Sequence, residues 1–219
     1  MTTIFLEKGN HTAESGKKCV NEFGAWLAGE PHTDMPHCYS VVYARVQMRL
    51  NDRLPDDLRQ RLIPYAITGV GTNTGYADEI TRAFMCADWG VHVGARHWFA
   101  AAGRPEWVTR VDALARVTDQ DTARAAAKEL RAIRDIASTI AIASAIASDS
   151  DIASTIAIAS ASDIAIDIAI ASAQKLVRES QEALLPSALD LLDRMAAVGR
   201  KPLPLVADRE AEFRAACHV

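Results

Sequence analysis

The stretch that decides the fold reads DIASTIAIASAIASDSDIASTIAIASASDIAIDIAIASA, from Asp135 to Ala173. Only five residue types compose it: 13 Ala, 11 Ile, 8 Ser, 5 Asp and 2 Thr. The undecapeptide that begins at Asp135 recurs unchanged at Asp151, and a third copy from Asp163 keeps nine of its eleven positions. All three copies begin at odd positions, so a stricter rule survives across them. Every even position from Ile136 to Ser172 is Ile or Ser, and every odd position from Asp135 to Ala173 is Ala, Thr or Asp.

Two conformations compete for this pattern. Strict alternation is the signature of a strand, which would place Ile and Ser on one face. On a helix, successive even positions advance by about 200°, so Ile is spread around the circumference and no clean stripe forms. Composition favours the helix. A third of the block is Ala, the best helix former, while Ala, Ser and Asp are poor in sheets. The block has no Gly or Asn to close hairpins. The reading is therefore an all-α protein, with the arm broken near Ser148–Asp151 by Asp acting as a new N-cap. A β-arch or β-solenoid is the alternative for the block.

Outside the block the chain is of another kind. Five of the 28 acidic residues lie within it, leaving 23 against 24 basic ones, so the net charge of −4 belongs to the repeat. Twelve of the thirteen aromatics lie between Phe5 and Trp107. The division expected is a helical N-terminal domain at 1–117, a helical arm at 118–199 that contains the repeat 135–173, and a tail at 200–219. A balanced charge gives no basic footprint for nucleic acid. No run approaches the ~20 apolar residues of a membrane span, and Met1–Asn10 lacks the apolar core of a signal peptide. A cytoplasmic location is expected. The four cysteines, Cys19, Cys38, Cys86 and Cys217, are then free thiols by default, and a Cys19–Cys38 disulfide would need an oxidising compartment.

Capping and breaker signals place the helices. Thr12 can cap a first helix to about Ala28, with Cys19, Phe23, Trp26 and Leu27 on one face and Gly29 as the stop. Helices are expected at Tyr39–Arg53, then from Pro55 to a break at Pro64, and over Tyr76–Ala102 up to Gly103. Pro105 opens a fifth, and Asp119 or Asp121 caps a sixth that enters the block. The last two are expected at Gln174–Val198, bent at Pro186, and at Ala207–Cys217.

Chemistry-bearing side chains are densest between His11 and Cys38: His11, Glu14, Cys19, Glu22, Glu30, His32, Asp34, His37 and Cys38. Imidazole, thiolate and carboxylate are the zinc-binding set. Cys19 on its helix, facing His32, Asp34, His37 and Cys38 in the loop, is the candidate ligand group. No CxxC or HExxH supports it, and the alternative is core packing for Cys19 and helix capping for the loop. Gly69, Gly71 and Gly75 precede a helix, but no strand leads into them, so an ordinary loop outweighs a phosphate cradle. His92 and His97 are expected to be partly buried helix residues, with Asp88 pairing with His92 one turn away. No motif calls for another cofactor.

The string HTAESGKKCVNEFGAWLAGEPHTDMPHC (His11–Cys38) followed by LNDRLPDD (Leu50–Asp57) resembles a family of uncharacterised bacterial and phage-associated proteins. The likeness covers roughly residues 4–115, and SALDLLDRM (Ser187–Met195) is similar to that family's C-terminal end. It implies a helical, Ala-rich repeat between the two parts and brings no catalytic residues.

The function expected from these residues is a non-enzymatic interaction or self-assembly module. Its packing surface is the repeat, through Ile136, Ile140, Ile142, Ile152, Ile156, Ile158, Ile164, Ile166, Ile168 and Ile170. The expected partner is a protein, with a second copy of the chain as one candidate. A drifting spacer is the bland alternative for the block. The rival is a small metal-binding protein or metal-dependent enzyme using the His11–Cys38 region.

Overall fold

Cys19, not Thr12, caps the first full helix. Thr12 opens only a short 3-10 turn, Ala13–Ser15, which Gly16 stops at φ +71°. Lys17 and Lys18 bridge to α1, Val20–Leu27. There the Cys19 side chain accepts from the Glu22 N–H while the Glu22 carboxylate accepts from the Cys19 N–H, a reciprocal capping box. Sequence reasoning missed it because thiols are rare caps. At the other end Gly29 takes the left-handed conformation expected of it, at φ +74°.

The computed structural model describes residues 4–139 and 177–217. All regular structure among them is helical, with no strand, so the all-α reading holds. After α1 come α2 (Val41–Arg53), α3 (Asp56–Arg59), a 3-10 turn (Gln60–Leu62) and α4 (Tyr65–Thr68). Then follow α5 (Tyr76–Trp89), a π-helical segment (Gly90–Ala95) and α6 (Arg96–Ala101). Next are α7 (Pro105–Asp112) and α8 (Gln120–Thr139). The chain closes with α9 (Val177–Ala197) and α10 (Ala207–Cys217). The helix expected over Tyr76–Ala102 is thus present but widened by one π segment, which the apolar spacing alone did not reveal. The start of the repeat, Asp135–Thr139, continues α8 as helix. The remainder of the block, including every candidate interface isoleucine other than Ile136 and the break at Ser148–Asp151, lies outside the described residues.

The chain forms two compact units, Met1–Glu79 with Leu192–Val219, and Ile80–Leu191. These boundaries cut across the divisions at 117 and 199 read from composition. They fall inside α5 and α9, where helical periodicity gives no mark of a boundary.

In the first unit α1 packs against α2, α4 and α10. Leu6, Val20, Leu27, Tyr39, Tyr43, Val46, Leu50 and Leu62 are buried. The approach is close enough to require glycine twice: a Cβ at Gly24 or at Gly69 would run into the Tyr39 ring. Polar side chains, the half-buried Gln60 and the buried Asn51, stitch the N-terminal arm down. Gln60 exchanges two hydrogen bonds with the Leu6 backbone (2.8 and 3.1 Å), and Asn51 Nδ2 donates to the Glu7 carbonyl at 2.8 Å. The tail is bound by backbone bonds, Lys201 N–H to Gly71 O at 3.0 Å and Val206 N–H to Leu27 O at 2.9 Å.

The second unit has its own core of Val91, Ala95, Phe99, Trp107, Val111, Val117, Ala123, Ala126, Leu130 and Ile133. Pro105 sits at the first turn of α7, and Asp119 Oδ1 accepts from the Asp121 and Thr122 N–H groups to start α8.

Candidate functional site

The residues between His11 and Cys38 separate into two clusters. The first is built on Glu22, whose side chain is fully buried in the first turn of α1. Its Oε1 accepts from the His11 N–H at 2.9 Å, and its Oε2 from the Cys19 N–H at 2.6 Å. The His11 ring brings Nδ1 to 2.8 Å from Oε2, and the His32 ring brings Nε2 to 3.4 Å from Oε1. His32 Nε2 also lies 2.7 Å from the His11 carbonyl, an acceptor only, so this nitrogen carries the proton and donates. Burial would raise the Glu22 carboxyl, but the bonds from the Cys19 and His11 N–H groups and from the His11 ring outweigh it and hold the carboxyl below its usual range. The ionised carboxylate can only accept, which makes His11 Nδ1 the donor in their contact.

The second cluster is built on Glu30. Its two oxygens accept from the His37 N–H at 2.6 Å and the Cys38 N–H at 2.7 Å. The Cys38 carbonyl then accepts from Gly71 and Asn73. His37 is exposed and engages through its backbone. Asp34 Oδ2 accepts from Asn10 Nδ2 at 3.1 Å, and its carbonyl from the buried Asn21 Nδ2 at 2.8 Å.

The ligand group expected from sequence, Cys19, His32, Asp34, His37 and Cys38, is therefore not assembled. His32 belongs to the Glu22 cluster, Cys19 caps α1, and His37 and Cys38 belong to the Glu30 cluster. Among the described residues no three His, Cys, Asp or Glu side chains are arranged to hold a metal ion. Burial pushes the Cys19 thiol up to about 12, and burial followed by the neighbouring Glu30 carboxylate does the same for Cys38. Neither supplies thiolate at neutral pH, the form that binds metal or attacks carbon. Cys19, Cys38 and Cys86 are buried and form no disulfide among the described residues.

The residues that organise the site are His11, Glu22 and Glu30, which the spacing argument put in the dense set but not in the ligand group. The available signal was Cys19-x-x-Glu22, a capping-box spacing with sulfur in place of a hydroxyl. The two carboxylates also accept from the backbone N–H groups of His11, His37 and Cys38, beyond one helical turn, which no capping pattern records.

The glycine loop is no phosphate cradle. Gly71, at φ +81°, is needed because a Cβ there would collide with the Lys201 carbonyl oxygen. In the second unit His92 and His97 are half-buried, as expected. Asp88 lies 3.6 Å from His92, accepts from the Val117 N–H at 2.9 Å and pairs with Arg116. The His97 Nε2 atom is buried without a hydrogen-bond partner among the described residues, and burial lowers the ring's pKa. No family model, no curated protein and no solved structure matches the chain.

Proposed function

We propose that this protein is a non-enzymatic interaction or self-assembly module, cytoplasmic, whose packing surface is the Ile/Ala/Ser repeat and whose partner is a second copy of the chain. The observation that carries the reading is the composition of 135–173: eleven Ile and thirteen Ala with no basic or aromatic residue and no Gly, Pro or Asn. In either regular conformation such a segment presents contiguous apolar surface, and monomers seldom leave more than a few hundred Å² of that uncovered. Covering one Ile side chain contributes about 1.5–3 kcal/mol. Covering several of the eleven outweighs the side-chain entropy lost, about 0.5–1 kcal/mol each, and so favours association.

Two features of the described residues support the non-enzymatic part. The carboxylates of Glu22 and Glu30 are occupied by backbone N–H groups, and the Cys19 and Cys38 thiols stay protonated. Free cysteines suit a reducing compartment. No helix among the described residues is long and apolar enough to cross a membrane.

Size-exclusion chromatography with light scattering tests the reading. The full chain is expected as an oligomer whose mass falls when Ile152, Ile156 and Ile158 become Ser, with far-UV helicity of the two units retained. Deleting Asp151–Ser162, which keeps the two-residue alternation in register, should also weaken assembly. A full chain that stays monomeric as concentration is raised sinks the proposal.

A further inference from the structure

A groove of about 290 Å³ opens on the first unit between the N-terminal arm, α1 and α10, lined by Ile4, Phe5, Glu7, Gly16, Lys17, Lys18, Phe23, Trp26 and Glu212. Three of the chain's thirteen aromatics gather here, and none is fully covered. Phe5 is 47% exposed, while Phe23 and Trp26 are half-buried and meet edge to face at 6.3 Å between ring centroids. Exposing aromatic surface in a chain so poor in it calls for a reason, because each ring would contribute more to stability if it were covered.

The charges at the lips supply one. Lys17 is engaged by Glu7 at 3.8 Å. Lys18 stands over the Phe23 ring, 5.7 Å from its centroid, and has no carboxylate partner among the described residues. Glu212, exposed on α10, has no basic partner among them either. One groove thus joins an aromatic wall, in which Phe23 also packs on Phe213 at 6.1 Å and Trp26 carries Arg209 at 5.5 Å, with an ammonium held only by a ring and a carboxylate that has no basic partner among the described residues. The complementary ligand has a flat apolar body, a carboxylate for Lys18 and an ammonium for Glu212. The volume lies at the small end of ligand pockets.

We propose that this groove binds a free aromatic α-amino acid. The ring rests against Phe23 and Trp26, the α-carboxylate pairs with Lys18, and the α-ammonium pairs with Glu212. None of the lining residues belongs to the repeat, and the assignment does not rest on it. Both charge contacts are open to solvent and screened by salt, so binding is weak, in the millimolar range, and weaker at high ionic strength.

The test is an NMR titration of the full chain, following the Trp26 indole, with L-phenylalanine, N-acetyl-L-phenylalanine and L-phenylalaninamide. L-phenylalanine is expected to shift the Trp26 signal saturably, and L-leucine to bind more weakly. Lys18→Gln should weaken L-phenylalanine and its N-acetyl derivative by about fivefold while leaving the amide unchanged. Glu212→Gln should weaken L-phenylalanine and the amide by a similar factor and leave the N-acetyl derivative unchanged. The absence of a saturable shift with L-phenylalanine overturns the proposal. So does equal binding of L-leucine, or a pair of variants that affect all three aromatic ligands alike. Occupation of the groove by a neighbouring chain would appear as a concentration-dependent Trp26 signal with no amino acid added, and would also overturn it.

Discussion

At the scale of single residues, Glu22 carries the most. One carboxylate receives the His11 and Cys19 N–H groups and the His11 ring, with the His32 ring within 3.4 Å, and so joins the N-terminal arm, α1 and the following loop. Glu22→Gln keeps the shape but loses the charge that strengthens these bonds, and puts an amide NH₂ against N–H donors. A loss of about 2–3 kcal/mol is expected, read from urea unfolding at pH 7. The pH dependence follows from the sign of the shift. The folded carboxyl titrates below the ordinary Glu range of about 4.3. Its stabilisation is therefore complete above that range and is lost as pH falls through the lower, folded value. The wild-type chain should lose stability on acidification more steeply than Glu22→Gln, and parallel curves for the two would refute the assignment. Tyr39 gives a second residue-scale expectation. Gly24→Ala or Gly69→Ala would force this buried ring to move, at about 1–3 kcal/mol each in thermal or urea unfolding. Gly24 is marked in the sequence by no turn or breaker, and Gly69 only as one glycine of an ordinary loop. What each makes room for, the ring of Tyr39 on a different segment of the chain, is visible only in the fold.

At the scale of elements, helix ends with ordinary chemistry were legible and unusual ones were not. Gly29, Gly103 and Gly199 end helices with positive φ, and Pro105 begins one, because few residues tolerate those positions. The start of α1 was misplaced, since Thr12 has the better capping chemistry while Cys19 has the tertiary surroundings. The π segment left no trace in the spacing of Ile80, Phe84, Val91 and Trp98, because one widened turn shifts a helical stripe only slightly. Ser40 is the cap to test. Its hydroxyl accepts from the Tyr43 N–H at 3.1 Å and donates to Glu79 Oε2 at 2.9 Å, fixing the start of α2. Ser40→Ala should cost about 1–2 kcal/mol in urea unfolding, and Ser40→Thr or Ser40→Asn less. Equal losses for all three would mean that packing, and not the cap, holds this end.

At the scale of the whole molecule, the C-terminal tail belongs with the N-terminal helices. Lys201 and Val206 donate backbone bonds to Gly71 and Leu27, and Arg209 donates to the Trp26 carbonyl at 2.6 Å. A chain shortened at Gly199 should unfold at lower temperature and show faster amide exchange in α1 and at Gly71. Unchanged protection there would mean the tail is only laid on the surface. The sequence by itself determined the helical class, most helix ends, the balanced charge outside the repeat and the concentration of apolar surface within it. Each of these follows from local backbone preference or from composition, which act over short stretches of chain. Only the tertiary structure decided which carboxylate meets which N–H, that the expected metal ligands part into two clusters, and that the first unit is closed by Leu192–Val219. Those outcomes rest on contacts beyond the reach of a single helical turn, from the loops around Glu22 and Glu30 to the meeting of the two ends of the chain, and buried polar groups select their partners by geometry after the helices have packed.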